Sequence, residues 1–197
     1  WADPSRATEE GQPFAKFYGM VANIDHNMGL LRAHLDELGI ADDTILIFMT
    51  DNGTSGGAKF DGLTSEAVAG FNAGMRGKKS SIYDGGHRVP CLIHWPNGEL
   101  QGGRDIATLT AHIDVLPTLA DLCGLPEPPS DGISFGSLLR GEADSLPREA
   151  HFIQYHGGAH FKTQPAPLDN SVVLTERWRL LHTCLLYTSP SPRDEQS

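Results

Sequence analysis

The chain has 197 residues, which is room for one ordinary domain with a small appendage. Its formal net charge of −10 argues against binding nucleic-acid backbones or anionic membranes, because both require a basic surface. No apolar run approaches the ~20 residues that cross a bilayer, and three scattered cysteines (Cys91, Cys123 and Cys184) suit neither a disulfide framework nor a zinc site. We expect them to be buried structural thiols.

The first regular elements are a helix and a strand. Apolar residues recur at steps of three and four between Phe17 and Leu38, which predicts a helix with one buried face that ends at Gly39. The run Thr44 to Thr50 is almost entirely apolar and β-prone, as is typical of a central strand covered on both faces. A helix followed by a buried strand indicates an α/β architecture.

A long glycine-punctuated loop is predicted after this strand, and loops of that length are usually functional. A second strand is expected between Val89 and Trp95. A helix follows from about Thr110 to Leu122, with Pro117 either kinking it or marking its first turn. One side of it is expected to carry the apolar residues, namely Leu109, Ile113, Leu116, Ala120 and Cys123.

The later part of the chain reads as a connector and a small sheet. Residues 125–148 are rich in proline and glycine, with a short helical turn expected at Ser137 to Leu139. Two strands are predicted, His151 to Tyr155 and Ser171 to Leu181, which can pair as a hairpin. We therefore divide the chain into an α/β part over 1–145 and the start of a C-terminal subdomain over 146–183.

The two chain ends are not typical of a folded domain. Residues 184–197 continue no pattern and resemble translated sequencing-adapter read-through, so we exclude them from fold reasoning. The chain opens on Trp1 without methionine or a leader, so any targeting segment is expected to be absent or to lie upstream.

One short motif can hold a metal ion. Asp51, Asn52 and Gly53 stand where the apolar strand meets the loop, and ligands gather beyond the carboxyl ends of strands in α/β folds. A carboxylate and an amide carbonyl are hard oxygen donors that suit calcium or magnesium. The alternative is a plain tight turn, because Asn-Gly is a strong hairpin signal.

A second motif is glycine-rich and basic. Two lysines, Lys78 and Lys79, precede Tyr83-Asp84-Gly85-Gly86, whose glycines allow positive φ and close backbone approach. The alternative is a solvated basic patch before a strand.

Taken in order, these segments resemble the type I sulfatases of the alkaline phosphatase superfamily. The resemblance covers about residues 15–183 and rests on a set of short matches. They are the helix with Ile24-Asp25, the strand Ile45 to Gly53, the run Arg76 to Gly86, Arg88-Val-Pro90, Trp95-Pro96, Asp114-Val-Leu-Pro-Thr118, Cys123-Gly124, Asp131-Gly132 and Leu138-Leu-Arg-Gly141. The implied fold is part of a large mixed sheet flanked by helices, followed by a small antiparallel subdomain.

The resemblance implies roles for three residues. Asp51 and Asn52 match two ligands of a divalent cation, usually calcium. Lys79, four residues before Tyr83, matches the sulfate-binding and catalytic lysine, with Lys78 as the neighbouring alternative. Asp84 replaces the commoner glutamate, and His87 is expected to be structural or exposed.

The resemblance also implies parts that this sequence does not contain. The nucleophile is a formylglycine made from a Cys or Ser in a Cys/Ser-x-Pro-x-Arg motif, and no such motif occurs here. Pro4-Ser5-Arg6 is only a superficial echo of it. The 197 residues alone are therefore expected to be inactive, to bind calcium weakly, and to expose apolar edges and faces.

His156 and His160 lie in a loop that can reach the site, with His156 either a specificity residue or a plain surface histidine.

Sulfate-ester hydrolysis is thus the predicted parent activity, on a sulfated small molecule or glycan, without nucleic acid or a membrane span. The alternatives are a phosphate or phosphonate monoester hydrolase of the same superfamily and an inactive carbohydrate-binding relative. The family implies a periplasmic or extracellular location. Substrate identity and oligomeric state are not readable from this sequence.

Overall fold

The computed structural model describes residues 12–155 and 170–182. It divides into two compact units, Trp1–Ile93 and His94–Ser197. The architecture is mixed α/β with an antiparallel sheet near the C-terminus, which confirms the predicted fold class.

The first unit begins with a long helix, α1 (Gln12–Glu37). It ends at Gly39, which has a φ of +67° and donates its backbone N–H to Asp36, while Ile40 donates to Leu35. These two bonds form a Schellman cap that satisfies the last carbonyls, so the predicted helix end is confirmed.

The apolar face of α1 is not buried. Among the periodic positions only Met28 and Leu35 are half-covered, while Ile24 is 50% exposed and Leu31 is 44% exposed. The predicted buried face is therefore wrong for most of this helix, because the described residues pack against it only near Phe17 and Tyr18.

Four short strands and one helical turn complete the first unit. Strand β1 (Leu46–Met49) pairs with β4 (Cys91–His94). Strands β2 (Ala58–Phe60) and β3 (Ala67–Gly70) form an antiparallel hairpin inside the segment predicted to be a loop. The turn α2 is Asp84–His87. All four positions of β1 are half-buried, so the expectation of a strand covered on both faces is wrong for this chain.

The second unit contains two short helices. A 3₁₀ turn leads into α3 (Val115–Leu122), and α4 is Gly136–Arg140, which confirms both predicted helices. Pro117 lies in the first turn of α3, where a missing N–H costs nothing. Of the residues on the predicted apolar side, Ala120 is buried and Leu109 half-buried, whereas Ile113, Leu116 and Cys123 are exposed. The other buried positions are Asp114, Pro117 and Thr118.

A buried carboxylate organises this polar helix face. Asp114 is fully buried and pairs with both terminal nitrogens of Arg148, one of them at 2.8 Å. It also accepts the backbone N–H groups of Ala111 and Ile133, at 2.7 and 2.9 Å. Because the charge is paired and hydrogen-bonded, its burial is tolerated, and it ties three segments together.

The C-terminal sheet has three antiparallel strands: β5 (His151–Gln154), β6 (Ser171–Leu174) and β7 (Arg179–His182). The pairing of the two predicted strands is confirmed, with Phe152 opposite Val173. The single strand predicted over Ser171 to Leu181 is wrong, because the chain turns between Thr175 and Trp178 and returns as β7.

The surface is unusually rich in apolar side chains. Leu63 is 93% exposed, Phe71 and Phe152 are each 72% exposed, and Leu92 is 64% exposed. The expectation of exposed apolar faces is therefore confirmed. Cys91 and Cys123 are free and exposed, so the prediction of buried thiols is wrong for them; Cys184 lies outside the described residues.

Across 12–155 and 170–182, none of the helices combines the length and hydropathy of a membrane span.

Candidate functional site

Asp51 and Asn52 follow β1 after one intervening residue, Thr50, at the end of the strand as the sequence predicts. Asp51 is exposed and Asn52 is half-buried. The Asn52 amide nitrogen donates to the Asp51 carboxylate at 2.9 Å, and Thr50 donates its hydroxyl to the Asn52 carbonyl at 3.2 Å. With its nitrogen held in this way, Asn52 keeps its side-chain oxygen available as a donor to a cation, beside the Asp51 carboxylate.

Gly53 joins this pair to the second motif. Its backbone N–H donates to the carbonyl of Gly86 at 2.9 Å. A Cβ added at Gly53 would lie 1.7 Å from the Gly85 carbonyl oxygen. The two backbones are therefore in direct contact, and no side chain fits between them. This contact is inconsistent with a simple solvent-facing hairpin turn at Asn52-Gly53.

Gly85 and Gly86 are needed for their lack of a side chain, which lets the backbones approach closely, and not for a positive φ. Residues 84–87 form the helical turn α2, and neither Gly85 nor Gly86 has a positive φ, so that part of the prediction is wrong. Close approach is confirmed, because a Cβ on Gly85 would lie 2.1 Å from the Gly77 carbonyl oxygen.

Asp84 and His87 lie on the same turn. The Nε2 atom of His87 is 3.7 Å from a carboxylate oxygen of Asp84, and both side chains are largely covered. The structure therefore favours the structural role expected for His87 over an exposed one.

Lys79 is held beside the same contact. Its backbone N–H donates to the carbonyl of Thr54, one residue after Gly53, at 2.9 Å. Its side chain is exposed. Lys78 is also exposed, but its ammonium lies 5.6 Å from the centroid of the Phe60 ring on β2, within the range of a cation–π interaction. The contact with Phe60 distinguishes the two lysines and favours Lys79 as the one available to a ligand.

Two further residues, Arg76 and Asn72, shape the loop, and the sequence alone assigns no role to either. The guanidinium of Arg76 lies 4.0 Å from the centroid of the Tyr83 ring, and its Nε donates to the Thr64 carbonyl at 2.6 Å. The buried amide of Asn72 donates to the carbonyls of Met75 and Gly77, both at 2.9 Å. Neither contact follows from local spacing, so only the folded loop reveals them.

The segments that carry the two oxygen donors and the lysine are in contact through their backbones. The oxygens of Asp51 and Asn52 are hard donors of the kind a divalent cation accepts, and two donors would be a minority of the roughly six to eight oxygen ligands that calcium takes. Among the described residues, no group of three or more His, Cys, Asp or Glu side chains is placed to hold a metal. His156 and His160 lie outside the described residues.

Two family models match the sequence. The model described as "Sulfatase" covers residues 2–125, and the model described as "N-sulphoglucosamine sulphohydrolase, C-terminal" covers residues 76–189. Steryl-sulfatase of Mus musculus is 38% identical over 160 residues, covering 79% of this chain. The chain spans only 24% of that relative's length.

Solved structures share the fold over most of the chain. A structure described as Ps i-CgsB in complex with k-i-k-neocarrahexaose aligns with a TM-score of 0.67 at 23% identity, covering 87% of this chain and 35% of that one. The phosphonate monoester hydrolase of Agrobacterium radiobacter aligns with a TM-score of 0.59 at 26% identity, covering 86% and 32%. The matched sulfatase model, the 38% identity and the juxtaposed Asp51–Asn52 and Lys79 backbones lead to one conclusion: this chain belongs to the sulfatase family.

Proposed function

We propose that the whole protein containing this chain hydrolyses sulfate esters, and that this chain supplies part of its cation site and one sulfate contact. The observation that carries the proposal is the backbone contact of Gly53 with Gly85 and Gly86, together with the Lys79–Thr54 hydrogen bond. These contacts join the backbone segments that carry the two proposed oxygen donors and the proposed lysine. A sulfuryl group needs that combination, because its oxygens are anionic in the ground state and in the transition state.

Asp51 and Asn52 are the proposed cation ligands. Their two oxygens suit Ca²⁺ best, because calcium accepts mixed carboxylate and amide-carbonyl donors in flexible geometry. A bound divalent cation would stabilise negative charge on the sulfuryl oxygens. The hydrogen bond from the Asn52 nitrogen to Asp51 keeps the two donors side by side before any ion arrives.

Lys79 is the proposed sulfate contact. Its backbone is fixed by the bond to Thr54, while its ammonium remains exposed and can approach a substrate oxygen. A point charge on a flexible stem suits a tetrahedral anion presented from solvent.

The remaining elements of the proposal come from the family. The nucleophile would be a formylglycine in the part of the whole protein that this sequence does not contain, and the substrate a sulfated small molecule or glycan. Residues 1–145 would belong to the catalytic α/β domain and residues 146–183 to the C-terminal subdomain, with the protein acting outside the cytoplasm.

Phosphonate or phosphate monoester hydrolysis is the second candidate. The alignment with the phosphonate monoester hydrolase of Agrobacterium radiobacter favours it, because the same strand-end geometry can serve either ester. The sulfatase family match and the higher-identity steryl-sulfatase relative favour the sulfate ester.

Steady-state kinetics of the whole protein on an aryl sulfate and an aryl phosphonate monoester test the proposal. We expect the higher kcat/KM on the sulfate, and a fall of about 10²–10³ in kcat for Lys79→Ala, as for loss of one preorganised transition-state contact. Lys78→Ala is the matched control, expected to stay within about twofold, as for an ordinary surface substitution.

Each contrary result has a distinct meaning. Preference for the phosphonate would establish the second candidate. Loss of rate in Lys78→Ala instead of Lys79→Ala would move the sulfate contact to Lys78. No turnover of either ester would leave a non-catalytic carbohydrate-binding relative.

A further inference from the structure

We infer that Arg76 is a positioning residue. It holds the loop from Arg76 to Gly86 in one conformation and thereby fixes the position of the Asp51–Asn52 donor pair relative to Lys79. This inference rests on the proposed function, because it concerns the same site. Arg76 itself is not among the proposed cation or sulfate contacts.

Arg76 holds the loop through three contacts. Its guanidinium stacks on Tyr83 at 4.0 Å. Its Nε donates to the Thr64 carbonyl at 2.6 Å. Its own carbonyl accepts the N–H of Gly85 at 2.7 Å. One residue thus fixes the β2–β3 connection, the Tyr83 ring and the Gly-Gly turn at the same time.

The second step connects the Gly-Gly turn to the donor pair. Gly86 accepts the N–H of Gly53, and the Gly85 carbonyl lies so close that Gly53 has no space for a side chain. Any shift of the turn must therefore move Gly53 with it. Since Asn52 is bonded to Gly53, the displacement reaches the donor pair directly.

The third step connects the same loop to the lysine. Gly77, directly after Arg76, has a φ of +78°, and its N–H donates to the Ser65 carbonyl at 2.8 Å. A Cβ on Gly77 would lie 2.9 Å from the Tyr83 Cβ, so the loop closes tightly on the stacked ring. Lys79 follows two residues later. The Arg76–Tyr83 stack therefore closes the loop that carries Lys79, and the same loop leads into the Gly-Gly turn that contacts Gly53.

Guanidinium chemistry suits this role better than an ammonium. Arginine stacks flat on an aromatic ring and still donates from its edge, whereas lysine offers a point charge with no planar face. Arg76→Lys keeps the charge and loses both the stacking and the in-plane donor at Nε. Arg76→Ala also removes the packing over Tyr83.

The test measures calcium affinity and kinetics in the whole protein, with Ca²⁺ as the probe. Isothermal titration gives Kd, thermal unfolding with and without Ca²⁺ gives the apo Tm and its shift, and aryl sulfate turnover gives kcat and KM. Arg177→Ala is the matched control, since Arg177 makes the same kind of contact with Trp178 at 4.9 Å in the other unit.

For Arg76→Ala we expect Kd for Ca²⁺ to rise about tenfold, as for loss of a cation–π contact and a hydrogen bond together. We expect kcat to fall by a similar factor with KM changed less, because the donor pair is displaced while Lys79 still contacts sulfate. Arg76→Lys should lie between Arg76→Ala and the wild type, and Arg177→Ala should bind Ca²⁺ as the wild type does.

Wild-type Kd and kcat in Arg76→Ala would overturn the inference and leave the proposed function standing. A lower apo Tm with unchanged Kd would also overturn it, because a merely structural residue behaves in that way. If Arg76→Ala does not fold, the same criteria apply to Arg76→Lys. No calcium effect in the wild type would overturn the proposed cation site, and this inference with it.

Discussion

Gly53 offers the sharpest single test of the site, because its contact with Gly85 leaves no room for a methyl group. In Gly53→Ala the new Cβ would lie 1.7 Å from the Gly85 carbonyl oxygen and 2.6 Å from its carbonyl carbon. Real Cβ atoms do not approach other heavy atoms within 3.0 Å. The two backbones must therefore separate by about 1.3 Å, the difference between these distances. Gly53 has no positive φ, so the cost comes from the collision and not from its dihedrals.

That separation has two consequences of known size. It breaks the bond from the Gly53 N–H to the Gly86 carbonyl, and overpacking of this kind costs about 1–3 kcal/mol of stability. It also moves Asn52 relative to Lys79 by a distance on the order of 1 Å, which can reduce a rate about 10²-fold. We expect a fall of about that size in kcat, with weaker calcium binding.

The assay is aryl sulfate turnover and calcium titration of the whole protein, with Gly62→Ala as the matched control. Gly62 has no neighbour within 4 Å of an added Cβ and no positive φ, so the same substitution there is expected to be neutral. Gly53→Ala with wild-type kcat and Kd would refute the argument that this backbone contact sets the site.

Two further predictions concern the second unit. Arg148→Met should reduce the free energy of unfolding by about 3–5 kcal/mol in denaturant titrations, because it leaves the Asp114 charge buried without its cation; an equal loss in the double variant Asp114→Asn/Arg148→Met would contradict this reason. His151 has a pKa below its ordinary value of 6.5, because burial and then the Arg148 charge disfavour the imidazolium more than Asp114 favours it. Between the lower pKa of His151 in the folded protein and its ordinary pKa of 6.5, the unfolded state therefore binds more protons than the folded state. The free energy of unfolding consequently has its full His151 contribution above pH 6.5 and loses it as the pH falls through the folded-state pKa. Denaturant titrations at several pH values measure how steeply the free energy of unfolding falls as the pH is lowered, and His151→Gln should make that fall shallower. An unchanged pH dependence in His151→Gln would exclude His151 as its source.

The elements that the sequence predicts well are those with local signals. The end of α1 depends on a glycine that adopts positive φ, and α3 and α4 depend on short apolar runs followed by glycine at Gly124 and Gly141. The β2–β3 hairpin was missed because its strands are only three and four residues long and lie in a segment punctuated by glycines. The turn between β6 and β7 was missed because it contains neither glycine nor proline; Thr175 makes it by side-chain and backbone bonds to Trp178.

For the candidate site, the sequence predicts which residues are involved but not how they are arranged in space. Asp51, Asn52 and Lys79 could be named from sequence only through the order of many short family matches. Their juxtaposition required the structure, because it depends on Gly53 meeting Gly85 and Gly86 more than 30 residues later in the chain. Arg76 lies in a run that carries the resemblance, but the sequence predicts neither its stacking on Tyr83 nor the buried Asn72 amide, since side-chain hydrogen bonds to distant carbonyls leave no periodicity.

The exposed face of α1 shows why a correctly recognised helical pattern can lead to a wrong prediction of burial. The three-and-four spacing of Val21, Ile24 and Leu31 reports only that these side chains share one side of a helix. Burial also requires a second surface, and the described residues supply one only near Phe17 and Tyr18. The Phe17 ring lies against Gly56 and Gly57, and the Tyr18 hydroxyl donates to the Gly57 carbonyl at 3.4 Å. The rest of the stripe remains apolar at about half exposure, which is costly in water for a lone helix. Periodicity therefore predicts which face needs a partner, and contacts alone decide whether one is present.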